Sequence, residues 1–257
     1  MKLALSYNVF DGIELLEYSI KEIREVVDYV NVIYQTTSNY GEKTEFDERI
    51  SKMEKNGLID NVILYEPLLN LRPKQNETIK RNLGLQDIKD KKFDYFINLD
   101  TDEFFKKEDI IKGLKFMKEN PSVEETFVKN IRYYKYPTMQ LSNTWEDYAP
   151  FIYKVNKNNL GEKYTRNVDP SRSYGSMNKH FFKSNEIIMH HMWMVRDDIE
   201  KKFRNKSSKN NFIEGIDETI NFYKNYKGEG DVIFYRQGKV ISSPINKTKN
   251  IFNINTK

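Results

Sequence analysis

The chain has no cysteine in its 257 residues. That removes disulfides, thiolate zinc sites and cysteine nucleophiles together, and it fits a reducing compartment. No apolar run approaches the roughly 18 residues that a membrane helix needs. The opening MKLALSYNVFDG has one lysine, no long apolar core and no small-residue cleavage site, so no signal peptide is expected. Histidine is also scarce, with three in the whole chain. What is present is apolar and aromatic enough, at 38% and 14%, to exclude a disordered chain. The 31% charged fraction and mean hydropathy of −0.76 give it a heavily solvated surface.

The net charge of +4 is unevenly spread. Residues 1–150 hold 22 basic against 27 acidic side chains, and residues 151–257 hold 20 against 11. The second part is therefore expected to meet something anionic: a phosphate-bearing substrate, a membrane surface or nucleic acid. A lysine-rich solvated surface would carry the same signature.

The first hundred residues alternate strand and helix patterns. KLALSY reads as a buried strand, and Asp11 is placed to cap the helix after it. That helix carries Ile13, Leu16, Ile20, Ile23 and Val27 at steps of three and four. YVNVIY, NVILYEP and DYFINL are further strands, with helices expected around Asp47 to Asn56 and Asn76 to Lys89. The order implies a mainly parallel sheet with helices on both faces. After Leu99 come a helix through Ile110, Leu114 and Met117 and three strand-like stretches, TFVKNIRYY, PFIYKV and NEIIMHHMWMV. Two helices (Asp197 to Asn205, Ile213 to Tyr226) and a hairpin, DVIFYRQGKVISS, close the pattern. The tail NKTKNIFNINTK shows no period.

In open parallel sheets, ligands bind at the carboxyl ends of the strands. The fourth strand ends in INLDTDEFF, which puts Asp100, Asp102 and Glu103 at the mouth of such a crevice. Carboxylates at i and i+2 across a tight turn can converge on one divalent cation, with hard-oxygen ligation suited to magnesium or manganese. Two acids this close also cap helices or simply face water. The apolar strand before them, and Phe104–Phe105 burying the turn, favour a site.

At these residues the chain resembles the nucleotide-sugar glycosyltransferases of GT-A fold, close to family 2 and its lipopolysaccharide-core branch. The resemblance rests on NETIKRNLGLQDIKDKKFDYFINLDTDEFF, Asn76 to Phe105: a helix with asparagine and arginine, an apolar strand, then D-x-D-E before apolar residues. It implies an α/β fold of GT-A type, a mainly parallel sheet flanked by helices with an elaborated acceptor-side second half. Residues 1–206 would form the glycosyltransferase domain, and 207–257 a helix, hairpin and tail packed on it. The implied activity is metal-dependent hexosyl transfer from a nucleoside diphosphate sugar, expected to be a UDP-sugar, to an acceptor hydroxyl on a surface glycan or lipid-linked saccharide. The implied location is cytoplasmic, with peripheral contact at the inner membrane surface.

The resemblance also implies roles. Asp102 would ligate the Mn2+ or Mg2+ that bridges the diphosphate, and Asp100 would share it or contact the ribose with Thr101 beside it. Arg81 and Asn82 would lie near the nucleotide, and Tyr7 and Asn8 would flank the base. The second strand ends in Gln35-Thr36-Thr37-Ser38 where the family has an acidic base reader, which leaves the base open. A third metal ligand is expected from a late histidine followed by an aromatic residue, and His190 with Trp193 matches best. His190 and His191 point to opposite faces if the segment is a strand, so one at most reaches the crevice. In NTWEDYAPFIYKV, Trp145 can stack on a sugar, with Asp147 the expected base and Glu146 the second choice. Arg166 and Arg172, in YTRNVDPSRSYG, read as residues of a solvated loop that could also fold over the diphosphate.

Three other readings stay open. Glycosylation of a nucleic acid base fits the basic second part. A nucleotidyltransferase shares the sheet and acidic site but begins with a glycine-rich phosphate loop, and ALSYNVFDG offers only Gly12. A non-catalytic sugar-binding module would bind nucleotide without turnover.

Overall fold

The computed structural model describes residues 1–142, 147–161, 168–205, 215–236 and 238–255. The first half alternates as expected: β1 (Leu3–Val9), α1 (Ile13–Ile23), β2 (Tyr29–Tyr34), α2 (Glu48–Lys55), β3 (Asn61–Leu64), α3 (Pro73–Asp90) and β4 (Tyr95–Asp100). Then follow β5 (Glu103–Phe104), α4 (Lys107–Glu119), β6 (Glu125–Tyr134), β7 (Met139–Leu141), β8 (Tyr148–Lys154), β9 (Lys179–Phe181) and β10 (Ile188–Met194). The chain ends through α5 (Ile199–Asn205), α6 (Ile216–Asn225), the hairpin β11 (Val232–Arg236) and β12 (Lys239–Ser243), and β13 (Ile245–Lys247).

β3, β2, β1 and β4 lie side by side and parallel. The sheet continues beyond β4 through β8 and β6, with β8 antiparallel to both β4 and β6. The result is a mixed α/β fold around a mainly parallel central sheet. Side-chain alternation sorts the two faces. Leu5, Tyr7 and Val9 of β1 join Ile97 and Leu99 of β4 in a core with Leu16 and Ile20 of α1 and Ile110 of α4. Ala4 and Phe96 face the other way, toward Leu85 and Ile88 of α3. Gly84 lets α3 approach the sheet: a Cβ there would stand 2.2 Å from Ser6 Oγ.

The second half is anchored by β10, which runs parallel to β6 and antiparallel to the short β5. A third core holds Trp193 and Met194 against Phe203, Ile220, Tyr223 and Phe234. The aperiodic tail is tied down too. β13 pairs with β7, and Phe252 and Ile254 are buried with Leu15, Phe104 and Tyr133.

Candidate active site

From β1 the chain moves to β2 on one side, while β4 pairs on the other. Loops diverge where strand order reverses in this way, and they leave a crevice at the carboxyl ends. A cavity of about 300 Å³ lies there. Register sets its floor, because Asn8 and Asp100 are direct partners across β1 and β4. Helix spacing sets one wall: from Lys74 to Glu77, and from Glu77 to Lys80 and Arg81, α3 advances three or four residues, and all four line the cavity.

The turn after β1 depends on Gly12, which takes φ 69° as the N-cap of α1. A Cβ at Gly12 would lie 2.6 Å from Thr101 Oγ1 and 3.0 Å from Arg196 Cζ, so glycine lets three segments meet. Asp11 does not cap α1 as the sequence led us to expect. Its carbonyl accepts from Thr101 Oγ1 at 2.9 Å, and the residue lines the cavity.

Each acid of the Asp100–Glu103 turn meets a cation. Arg81 Nη2 donates to both Asp100 oxygens at 2.9 and 3.0 Å, while Nη1 donates to Asn98 Oδ1. Arg172 grips both oxygens of Glu103 at 2.5 and 2.6 Å and donates to the Asn98 carbonyl at 2.9 Å. Asp102 Oδ2 accepts from Arg196 Nη2 at 2.6 Å and Lys202 Nζ at 2.7 Å, with His191 Nε2 at 3.3 Å. Burial alone would raise the Asp102 pKa, but Lys202, Arg196 and His191 together hold it well below the usual carboxylate range. Asp100 is likewise lowered, with Arg81 and Arg172 outweighing burial. Lys80 differs: its ammonium donates to the Val9 carbonyl at 2.6 Å, and burial pushes it down to about 7 against the pull of Asp100.

The chain is similar to S. aureus TarS. Against TarS 1–349 in complex with UDP-GlcNAc, identity is 13% and the TM-score 0.49, covering 79% of this chain and 61% of that one. Against TarS 1–349 in complex with UDP, the figures are 12%, 0.46, 88% and 73%. A longer TarS structure matches at 13% and 0.46, and this chain spans only 38% of its length. No protein-family model matches the sequence, and no curated protein matches it either. Similarity at this level assigns no activity.

Of the residues expected at the site, Asn8, Gln35, Arg81, Asp100, Thr101, Asp102 and Trp193 do line the cavity. Tyr7 does not. It has the parity of Leu5 and Val9, lies fully in the core, and shares a hydrogen bond with Ser19 Oγ at 2.6 Å. Asn82 faces away from the cavity residues of α3, exchanging hydrogen bonds with the backbone of Leu160 at 2.8 and 2.9 Å. The histidine pair divides as alternation requires, but with the opposite assignment. His190 opposes Phe104 and is buried against Tyr133, whose hydroxyl lies 2.9 Å from Nδ1; His191 opposes Glu103 and reaches the crevice. Burial pushes His190 down to about 4, so it is neutral in the fold. Asp147 lies outside the cavity lining, half-exposed, with Arg132 Nη2 at 3.4 Å. That guanidinium stands 5.9 Å from the ring of Trp193, a buried residue of the cavity lining. Trp145, Glu146 and Arg166 lie outside the described residues.

The acidic turn does not suit a divalent cation as it stands. Asp102 Oδ2 already carries a guanidinium and an ammonium and both Asp100 oxygens carry Arg81, so a dication could reach only Asp102 Oδ1, beside two fixed cations. Among the described residues, no group of three or more His, Asp and Glu side chains is arranged to hold a metal ion. Sequence reasoning left out Lys80, Arg196 and Lys202, and it read Arg172 as a loop residue. The one signal for Arg172, Arg196 and Lys202 was the excess of basic residues after position 150, whereas Lys80 lies on α3 beside Arg81 in the acidic first half.

Proposed function

We propose that this chain transfers a glycosyl group from a nucleoside diphosphate sugar to an acceptor hydroxyl. The reading is carried by one observation: a crevice at the strand-order reversal holds the Asp100–Glu103 turn beside the cations Lys80, Arg196 and Lys202. In the reaction, the bond from the anomeric carbon to the diphosphate oxygen breaks as a bond to the acceptor oxygen forms. Negative charge gathers on the leaving diphosphate, where fixed cations in a partly closed cavity act most strongly. The acceptor proton passes to a carboxylate on the opposite face of the sugar, which inverts the anomeric centre. Asp147 is our choice for that base, supported by its contact with Arg132, whose guanidinium lies over Trp193 of the cavity lining. We place the acceptor on a glycan or lipid-linked saccharide, which the basic second part of the chain would also favour. No step is routed through a metal, because the acids of the turn are already paired.

The test is a thermal-shift screen with UDP, GDP, ADP and dTDP, and with UDP-GlcNAc, followed by a donor-hydrolysis assay. A ligand at about 100 times its Kd should stabilise the fold by about 2.7 kcal/mol. One base should stand out. If no nucleotide shifts the transition and no donor is cleaved, the proposal fails.

A further inference from the structure

We propose that Lys202 and Arg196, steered by Asp102, are the groups that neutralise the diphosphate, in the position where a divalent cation would otherwise act. The inference rests on the glycosyl-transfer reading and adds to it which charges do the work. Asp102 Oδ2 holds a guanidinium and an ammonium at 2.6 and 2.7 Å, two cations on one carboxylate oxygen, with Asp11 of the same cavity as a further acid acting on both. Both cations are buried and both line the cavity. They reach it from different elements, Arg196 from the loop after β10 and Lys202 from α5, so their meeting at one oxygen is a tertiary arrangement.

The two cations are also unequally committed. Arg196 is fixed by Asp102 and by the carbonyls of Met192 and Val195, at 3.3 and 3.1 Å, yet its Nε is a buried donor with no partner among the described residues. Lys202 Nζ has Asp102 as its one hydrogen-bond partner among the described residues. An ammonium carries three donors, which leaves two for an anion in the cavity it lines. A metal ion at Asp102 would have to displace this ammonium or sit against it. Incoming phosphate oxygens meet it without rearrangement, since phosphate and carboxylate suit the same donors.

The experiment is calorimetric titration of the whole chain with UDP, GDP, ADP and dTDP, in excess chelator and in manganese. The wild-type protein should bind its preferred nucleotide in chelator within about threefold of its affinity in manganese. Lys202→Met should lose at least tenfold in both solutions, and Lys202→Arg should recover most of that loss. Lys202→Met leaves Asp102 still paired to Arg196 and His191, and its melting temperature checks that it folds. If it does not fold, Lys202→Arg together with the wild-type chelator series still decides the matter. Binding only in manganese overturns the inference while leaving glycosyl transfer standing. Wild-type affinity in Lys202→Met overturns it too. No binding of any nucleotide in either solution overturns the glycosyl-transfer reading and this inference with it.

Discussion

The two walls of the crevice are built by different physics. On the near wall, β1, β4 and α3 deliver Asn8, Asp100 and Arg81 through sheet register and helix spacing, so backbone hydrogen bonds set the geometry. On the far wall, Arg172, Arg196 and Lys202 come from later segments and hold the acidic turn through ion pairs spanning 69 to 100 residues. The near wall should therefore keep its shape when one side chain is lost. The far wall should not, because its attachments are those side chains. Buried ion pairs add little net stability over apolar packing, yet losing one partner is costly, since the other remains as an uncompensated charge.

The largest break should come from Arg172→Met. It leaves the Glu103 carboxylate, only 3% exposed, without its counterion and with the Asp100 N–H at 2.9 Å as its remaining donor, and it removes the donor to the Asn98 carbonyl. A loss on the order of 3–5 kcal/mol is expected, read from the urea midpoint at neutral pH. The double variant Arg172→Met/Glu103→Gln should regain more than about 1 kcal/mol, because the pair acts as a unit. A loss below about 1 kcal/mol in the single variant would mean that packing, not charge, attaches the far wall.

Asp102→Asn comes next. A carboxylate at a crevice mouth would change stability little when neutralised, and relief beside Asp100 could even raise it. Its partners reverse that expectation. Asparagine keeps an acceptor but leaves Arg196 and Lys202 without their anion, so a loss of about 1.5–3 kcal/mol is expected, softened by the open side of the cavity. The sign with pH follows from the depressed Asp102 pKa. Its contribution is present above the unfolded value of about 3.9 and is lost as pH falls through the folded one. Urea midpoints at pH 7 and pH 3 should therefore converge for variant and wild type on the acid side. Equal midpoints at pH 7 would show the pairs to be incidental.

The same division explains what the sequence made legible. β1, β2, β4 and the Asp100–Glu103 turn stand out because apolar runs and clustered acids are local patterns. The counterions are not local, and Arg172, Arg196 and Lys202 look in sequence like any solvated charge. Alternation was legible in period but not in phase. His190 and His191 had to diverge, but which one met the crevice was set by β10 pairing with β5. For β1 a clue existed, since Ser6 and Asn8 share one parity and Tyr7 belongs with the apolar Leu5 and Val9. The tail had no period because it docks through one short strand and two side chains, Phe252 and Ile254.

The smallest predicted effect tests a near-wall cation that no carboxylate holds by a hydrogen bond. Lys80 sits among Asp100, Arg81, Glu77 and Asp11, and burial brings it down to about 7. In the ligand-free protein its charge is lost as pH rises through that value. A bound diphosphate favours the charged amine, so binding above pH 7 should take up a proton. Affinity should then fall as pH rises from 7 to 9, by up to tenfold per unit and, for a partly shielded amine, by about threefold. UDP-GlcNAc is the better probe here, because its diphosphate is esterified at both ends and does not titrate in this range. Lys80→Met should bind more weakly at pH 7 and show a flatter profile. Calorimetry in two buffers of different ionisation enthalpy should detect the uptake in wild type and not in the variant. Parallel pH profiles would mean that Lys80 only ties α3 to the Val9 carbonyl, and that the charge meeting the diphosphate comes from the far wall alone.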